Sequence, residues 1–290
     1  MTGTTLPDTT APSSPGGFVV TGTTVGSVSL AWTASTDDVG VAAYDVRRDG
    51  EAAPVASLSP ASVSWTDTAV GPGETHSYTV TARDGAGNPS PPAGPVTATT
   101  PATAPPLVAD DFESGTLGGW TNAGLVITTG PVNSGAFAAM AVSTGSPAWA
   151  WTYLSTPANE VYVRTWLRFD ALPSKTTTAL KLRTATGGAI MGLLVTGKGR
   201  LSYRNDVSAR TVNSTTTLSM ATWHEVIVHL TTVGSSSTVE VWLDGTLVSG
   251  LSRTDNFGTV PVGRFQLGEN QSGRRFNVTY DDVEVRDGPF

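Results

Sequence analysis

Apolar and polar residues alternate along most of this chain with a period of two, which is the pattern of half-buried β-strands. The clearest stretch is residues 223–248, WHEVIVHLTTVGSSSTVEVWLDGTLV. In the first run of this stretch, His224, Val226, Val228 and Leu230 form one row of side chains. Glu225, Ile227 and His229 form the opposite row. A Gly/Ser/Thr loop leads to a second alternating run, and Asp244-Gly245 then supplies a tight turn with positive φ angles. This stretch predicts three antiparallel strands packed on one side only.

The amino-acid composition also agrees with an all-β protein. Charged residues make up only 14% of the chain, whereas there are 32 glycines and 19 prolines, which favours many short strands and turns. No window carries a sustained apolar stripe of helical period. No apolar run approaches the length of a transmembrane helix.

Segments rich in Pro and Thr divide the chain. Residues 1–14 predict a flexible linker and residues 100–107 a semi-extended connector. Residues 15–99 and 108–290 carry the alternating strands, and we expect two independent domains. Residues 1–106 contain nine acidic and three basic residues, a net charge of −6. Residues 107–290 contain fifteen acidic and fourteen basic residues, a net charge of −1, and the two sum to the −7 of the whole chain. Because neither part is basic, we expect no nucleic-acid partner.

The first domain resembles a bacterial fibronectin type III domain. The residues that carry the resemblance are Pro12, Pro15, Trp32, Tyr44-Asp45-Val46, Asp49-Gly50, the strand at 78–82 and the loop at 84–90, DGAGNPS. Tyr78, four residues after Glu74, matches the tyrosine corner of that family, in which the hydroxyl ties a loop back to the sandwich. The resemblance implies a β-sandwich that acts as a spacer or an interaction module.

The second domain resembles laminin G-like and concanavalin A-like jelly rolls. The pattern W-H-x-V…V-x-V-x-L-D-G-x-L-V, an opening D-F-E-S-G…W from Asp111 to Trp120, and a closing Y-D-D-V-x-V from Tyr280 carry this resemblance. It implies a larger antiparallel sandwich whose first and last strands pair side by side. Such domains bind sugars or cell-surface polymers and less often cleave polysaccharides.

Pairing of the terminal strands would bring carboxylates together, and the residues concerned are Asp110, Asp111, Glu113, Asp281 and Asp282. Calcium takes six to eight oxygen ligands, mostly from carboxylates and backbone carbonyls. A structural Ca²⁺ is therefore one expectation for this place. The alternative is a set of surface acids that face water.

A basic and aromatic face is the second candidate. Alternation in three strands turns the cations, together with Tyr162 and Trp166, away from the apolar rows, and if the strands are neighbours they form one surface. Tyr203 alternates with the cations, in the same row as Leu201, and is still counted among the candidates. The candidate ligand-binding residues of this face are Tyr162, Arg164, Trp166, Arg168, Lys181, Arg183, Tyr203 and Arg204. Aromatic faces stack on sugar rings, and Arg binds carboxylates or sulfates in two-point fashion. An acidic polysaccharide is the expected ligand, and a merely solvated sheet face is the alternative.

His229 completes the candidate ligand-binding residues. It shares a strand face with Glu225, and Glu240 and Trp242 are expected opposite. A lyase would use such a His as part of a proton-transfer set, and a glycosidase would need a carboxylate pair. The glutamate motif of related glycosidases and the motifs of alginate lyases are missing from the sequence, so a structural, hydrogen-bonded His229 is the other interpretation.

These observations predict a secreted fragment of a larger bacterial protein that binds a polysaccharide or cell-surface glycan as a monomer, without entering a membrane. We expect no secretion signal within this sequence. No catalytic residue is assigned. Two alternatives stay open: a polysaccharide lyase or glycoside hydrolase with its site on the concave face of the jelly roll, and an adhesive surface or phage-tail protein that recognises a protein. With no cysteine, thiol chemistry is excluded.

Overall fold

The computed structural model describes residues 7–290 and confirms an all-β protein. The chain divides into two compact units at Ala104 and Pro105. In the first unit the strands, named β1 to β7 in chain order, are Gly16–Thr24, Ser27–Thr33, Val41–Arg48, Ala56–Leu58, Ser64–Asp67, Thr75–Asp84 and Ala93–Thr99. They form a three-stranded sheet in the order β1-β2-β5 and a four-stranded sheet in the order β4-β3-β6-β7.

Alternating side chains of these strands form the core of the first unit. Val28, Leu30 and Trp32 of β2 are buried, and so are Tyr78 and Val80 of β6. The Tyr78 hydroxyl donates to Asp67 Oδ2 over 3.0 Å, and Arg48 Nη1 donates to the same oxygen over 2.9 Å. Burial is the largest of the effects that raise the pKa of Tyr78. This tyrosine therefore ties β6 to the end of β5 through a carboxylate.

The described part of the N-terminal segment, residues 7–15, forms no strand. It is nevertheless hydrogen-bonded to the first unit, because Asn88 Nδ2 donates to the carbonyls of Asp8 and Thr10 over 3.2 and 3.3 Å. The amide of Ser13 also donates to the Thr36 carbonyl over 2.9 Å. Residues 1–6 of the predicted linker lie outside the described residues.

The second unit has sixteen strands and two single-turn 3-10 helices, Gly234–Ser236 and Ser249–Leu251. The strands, β8 to β23, are Val108–Asp110, Thr121–Ala123, Leu125–Thr128, Ala138–Thr144, Ala148–Ala158, Glu160–Phe169, Thr177–Arg183, Ala189–Val195, Arg200–Asn205, Arg210–Thr217, His224–Thr231, Ser237–Leu243, Thr246–Leu247, Arg253–Asp255, Val262–Glu269 and Arg275–Arg286.

Two antiparallel sheets enclose the core of the second unit. The nine-stranded sheet runs β10-β11-β23-β13-β18-β19-β20, with β21 added at β19 and β8 at β23. The seven-stranded sheet runs β17-β16-β15-β14-β22-β12-β9. Val108 pairs with Val285, which confirms the predicted contact between the first and last strands. Asp244 and Gly245 have φ angles of 50° and 74°, as predicted for the turn between β19 and β20.

Tyr280 makes a polar contact between the two large sheets. It lies on β23 of the nine-stranded sheet and is fully buried. Its hydroxyl donates to the Ala179 carbonyl over 2.7 Å and accepts the Gly268 amide over 3.1 Å. Both partners belong to the seven-stranded sheet, on β14 and β22. Gly268 has a φ of +77°, and a Cβ built on it would lie 2.3 Å from the Ala148 carbonyl oxygen, so this position requires glycine.

We predict that Tyr280→Phe destabilises the second unit by about 2 kcal/mol, because the Gly268 amide and the Ala179 carbonyl lose a partner in the core. Urea unfolding of the isolated second unit measures the change. Tyr153→Phe is the matched control, since Tyr153 is 55% exposed, and it should change the stability by less than about 0.5 kcal/mol. Equal stabilities for the two variants would contradict the role given to Tyr280.

Candidate functional site

A row of aromatic side chains lies on the outer face of the seven-stranded sheet. In β12 the residues Ala148 and Ala150 point into the core, and Trp149, Trp151 and Tyr153 point outward. Trp151 and Tyr153 meet edge to face, with ring centroids 5.0 Å apart and planes at 89°. We call Trp149, Trp151, Tyr153 and the neighbouring Arg264 the aromatic platform.

Arg264 of β22 holds the platform together. Its guanidinium carbon lies 4.2 Å from the Trp151 ring centroid and 4.7 Å from that of Tyr153. Its Nη2 donates to the Tyr153 hydroxyl over 2.9 Å. The antiparallel register explains this contact, because Tyr153 is paired directly with Arg264. Attraction between a cation and aromatic faces fixes the rings in place.

A concavity of about 310 Å³ adjoins these rings and is lined by Trp149, Trp151, Arg183, Gly187, Arg264, Gln266 and Asn270. Arg183 donates from Nε to Gln266 Oε1 over 2.8 Å and from Nη1 to the Gly187 carbonyl over 2.9 Å. Desolvation by burial lowers the pKa of Arg183. Gly187 leaves room for Arg264, since a Cβ there would lie 3.1 Å from Arg264 Nη1. The concavity therefore combines ring faces with two side-chain amides and two guanidinium groups.

The aromatic platform was not predicted, although the sequence carries a signal for its rings. The run A-W-A-W-T-Y from Ala148 to Tyr153 alternates small residues with large aromatic ones. In an ordinary half-buried strand the large residues occupy the inner row. Here the alanines occupy it, and the rings are left on the outer face.

The predicted basic face is divided between two sheets, so the expectation of one continuous surface is wrong. Tyr162, Arg164, Trp166 and Arg168 alternate on β13 of the nine-stranded sheet, whereas Lys181, Arg183 and Arg204 lie on β14 and β16 of the seven-stranded sheet. Tyr203 belongs to neither outer face: it is fully buried and contacts Phe257, with ring centroids 6.0 Å apart. Alternation predicts the inward or outward direction of a side chain but not the sheet to which its strand belongs.

The cations on β13 are neutralised by neighbouring carboxylates. Arg164 lies 2.7 Å from Glu284, and Arg168 lies 3.3 Å from Asp170. A concavity of about 560 Å³ beside Trp166 is lined by Ala109, Asp110, Asp111, Arg164, Trp166, Glu225, Asp282, Val283 and Glu284. With five carboxylates and one guanidinium, this surface disfavours a polyanion.

His229 is held by its neighbours in the nine-stranded sheet. Its ring stacks on Tyr162 with centroids 4.2 Å apart and planes at 6°. Its Nδ1 lies 2.8 Å from Glu240 Oε2, and its Nε2 lies 2.9 Å from Glu160 Oε1. Both ring nitrogens are therefore engaged, which favours the structural interpretation of this residue.

The five carboxylates predicted to hold calcium do not converge on one point. Asp110 accepts from Trp120 Nε1 over 2.6 Å, and Asp111 accepts the amide of Glu113 over 3.1 Å. Within residues 7–290, the one group of three or more acidic or histidine side chains with ligand atoms all inside 4.8 Å of one another is Asp8, Asp37 and Asp38 in the first unit. The five predicted residues do not form such a group among the described residues, and calcium at this place stays a prediction.

Three of these carboxylates do flank one loop, residues 133–137. Glu113 accepts the amides of Ala136 and Phe137, each over 2.9 Å. Asp281 accepts the amides of Asn133 and Ser134 over 2.8 and 3.2 Å, and Asp282 accepts from the Ser134 hydroxyl over 2.9 Å. Burial is the largest influence on Asp281 and raises the pKa of its carboxyl group. A cation at this loop would have to replace some of these hydrogen bonds.

The fold and the platform together define a two-sheet antiparallel jelly roll with a ring-lined outer face. Residues 144–290 match the family Laminin_G_3, described as the concanavalin A-like lectin/glucanases superfamily. The chain belongs to this family.

Individual proteins are similar to parts of this chain. It is 44% identical to Exoglucanase B of Cellulomonas fimi over 101 residues, 35% of this chain. It is also 44% identical to Chitinase C of Streptomyces lividans over 98 residues, 34% of this chain. The matches span only 9% and 15% of the lengths of those relatives. Among solved structures, "Cellulose induced protein, Cip1" is similar with a TM-score of 0.52 and 23% identity over 62% of this chain and 97% of that one, a likeness of fold.

No helix within residues 7–290 has both the length and the apolar character needed to cross a membrane.

Proposed function

We propose that the second unit binds a polysaccharide through the aromatic platform. The observation that carries this proposal is the row of Trp149, Trp151 and Tyr153 on an outer sheet face, beside the guanidinium groups of Arg183 and Arg264. Sugar rings present apolar faces that stack on aromatic side chains, and their hydroxyl and carboxylate groups bond to amide and guanidinium groups. Two relatives that match 35% and 34% of this chain are named as an exoglucanase and a chitinase, which supports a polysaccharide as the ligand of the protein as a whole.

Binding is favoured over catalysis by the chemistry of the concavity at the platform. The residues that line it include neither a carboxylate nor a histidine. Hydrolysis by the usual route requires a carboxylate pair, and proton abstraction requires a general base within hydrogen-bond reach. The proposed role is therefore that of a binding module, and a lyase or hydrolase is the alternative.

The first unit is proposed to be a fibronectin type III spacer of a secreted bacterial protein. Its two sheets of three and four strands and its buried Tyr78 support this assignment. Its core is made of its own residues, among them Trp32 and Tyr44. A spacer of this kind would separate the binding unit from other parts of a larger protein.

We predict that Trp151→Ala weakens binding to the best polysaccharide of a panel of cellulose, chitin, xylan and polygalacturonate by about tenfold. One aromatic stacking contact contributes about 1.5 kcal/mol, which corresponds to that factor. Depletion assays or titration calorimetry measure the affinity, and an absorbance assay for unsaturated uronides, run in parallel, tests for lyase activity. Trp242→Ala is the matched control, because Trp242 lies on the outer face of the other large sheet. Equal losses in both variants, or turnover by the parent protein, would contradict the proposal.

An acidic polysaccharide is the proposed preference, with Arg183 and Arg264 as the recognising cations. We predict that Arg183→Gln weakens binding to polygalacturonate by about fivefold and leaves binding to a neutral glucan nearly unchanged. The effect should shrink as salt rises from low to physiological concentration, where charges are screened over about 8 Å. Arg164→Gln serves as the control, since Glu284 already neutralises Arg164. A clear preference of the parent protein for neutral glucan would refute this assignment.

Structural calcium at the loop of residues 133–137 is proposed as a separate property. The support is the approach of Glu113 and Asp282 to this loop from two sides. Millimolar Ca²⁺ added to chelator-treated protein should raise the melting temperature of the second unit, by linkage of binding to folding. Asp282→Asn should remove the increase. Unchanged melting of the metal-free parent protein would leave these carboxylates as hydrogen-bond acceptors only.

A further inference from the structure

A second cationic region of the second unit differs from the aromatic platform in place and in chemistry. A concavity of about 720 Å³ is lined by Lys175, Thr176, Thr196, Gly197, Lys198, Arg200, Asn213 and Ser214. We call it the basic pocket. It lies near the start of β14, whereas Arg183 and the concavity at the platform lie at the other end of that strand.

The backbone brings the two lysines of the basic pocket, Lys175 and Lys198, together. The turn between β15 and β16 is closed by hydrogen bonds between Thr196 N and Arg200 O (2.9 Å) and between Gly199 N and Thr196 O (2.8 Å), and it carries Lys198. A Cβ built on Gly197 would lie 3.3 Å from the Pro173 carbonyl and 4.0 Å from Lys175 Cα. The turn therefore packs closely against the segment that holds Lys175, and glycine permits this approach.

Arg200 joins the lysines from the first position of β16. Leu201, its neighbour in the strand, is fully buried, so Arg200 points to the outer face of the sheet. Lys175, Lys198 and Arg200 are all exposed. Asn213 and Thr176, also exposed, add an amide and a hydroxyl group to the lining.

The three cations of the basic pocket have no carboxylate partner within 4.0 Å in the described part of the chain. Some other cations of the second unit do have one: Lys181 and Arg204 lie 3.6 and 3.0 Å from Asp206, and Arg274 lies 3.2 Å from Glu269. Like charges held in one pocket repel each other, and a bound anion would relieve that repulsion.

We propose that the basic pocket binds a sulfate or phosphate ester group carried by a polymer. Such a group presents three terminal oxygens in different directions, which suits donors that come from three separate segments of the chain. A carboxylate has two oxygens in one plane and suits a single guanidinium fork better. The volume of the pocket lies within the range of sites for small molecules, so a substituted sugar residue fits it. This site goes beyond the proposed binding at the platform and does not depend on it.

The experiment measures binding of the full chain to dextran sulfate, phosphorylated dextran, polygalacturonate and unmodified dextran, at low and physiological salt. Lys198→Gln and Arg200→Gln should each weaken binding to the esterified dextran by about fivefold at low salt, since an exposed ion pair contributes up to about 1 kcal/mol. Both side chains are exposed, so the variants should keep the fold, which thermal melting checks. Arg286→Gln is the control: it removes the same charge from β23 of the other sheet.

The outcomes separate this site from the platform. Retention of dextran sulfate binding by Trp151→Ala, with loss in Lys198→Gln, would support an independent basic pocket even if the platform binds no sugar. Tighter binding of the sulfated or of the phosphorylated polymer would show which of the two esters the basic pocket prefers. The proposal fails if the parent protein binds neither ester, if Arg286→Gln causes the same loss as Arg200→Gln, or if Lys198→Gln weakens polygalacturonate binding equally.

Discussion

The hydroxyl of Tyr280 is the polar contact on which the alignment of the two large sheets depends. It bonds both the Ala179 carbonyl and the Gly268 amide across the apolar core. Gly268 is paired with Trp149 and lies against Ala148, which only a glycine at this position permits. The hydrogen bond that joins the sheets is therefore adjacent to the strand pair that carries the aromatic platform. Because a buried polar group without a partner is costly, shifting the sheets relative to each other would be unfavourable.

The two large sheets follow the same alternation and yet present different outer faces. On the nine-stranded sheet the charged side chains neutralise one another, as Arg164 and Glu284 do, and His229 is enclosed by two glutamates. On β12 of the seven-stranded sheet, small alanines fill the inner row and the large rings remain outside. A row of rings in contact with water stabilises the fold little, and for this reason we propose that the rings contact a ligand.

Local features of this fold could be predicted from the sequence, and features that depend on distant pairing could not. The strands of residues 223–248 and the Asp244-Gly245 turn follow from short-range patterns. The strands β13 and β14 are consecutive but join different sheets, which separated Arg164 from Lys181. Tyr203 lies in the same row as the buried Leu201, so alternation alone indicated its inward direction. The ring row of β12 had a local signal in its alternation of small and aromatic residues, but the placement of Arg264 beside the rings depends on the register between β12 and β22, which no local pattern contains.

The pairing of β8 with β23 has a mechanical consequence. Val108 faces Val285 and Asp110 faces Val283 in an antiparallel ladder, and the Leu107 amide donates to the Val285 carbonyl over 2.7 Å. Leu107 and Arg286 lie at the same end of this ladder, so tension applied between them would break its hydrogen bonds one after another. Strands that are pulled past each other load all their bonds at once and resist more force. The join between these two strands would therefore yield at low tension, before the core does.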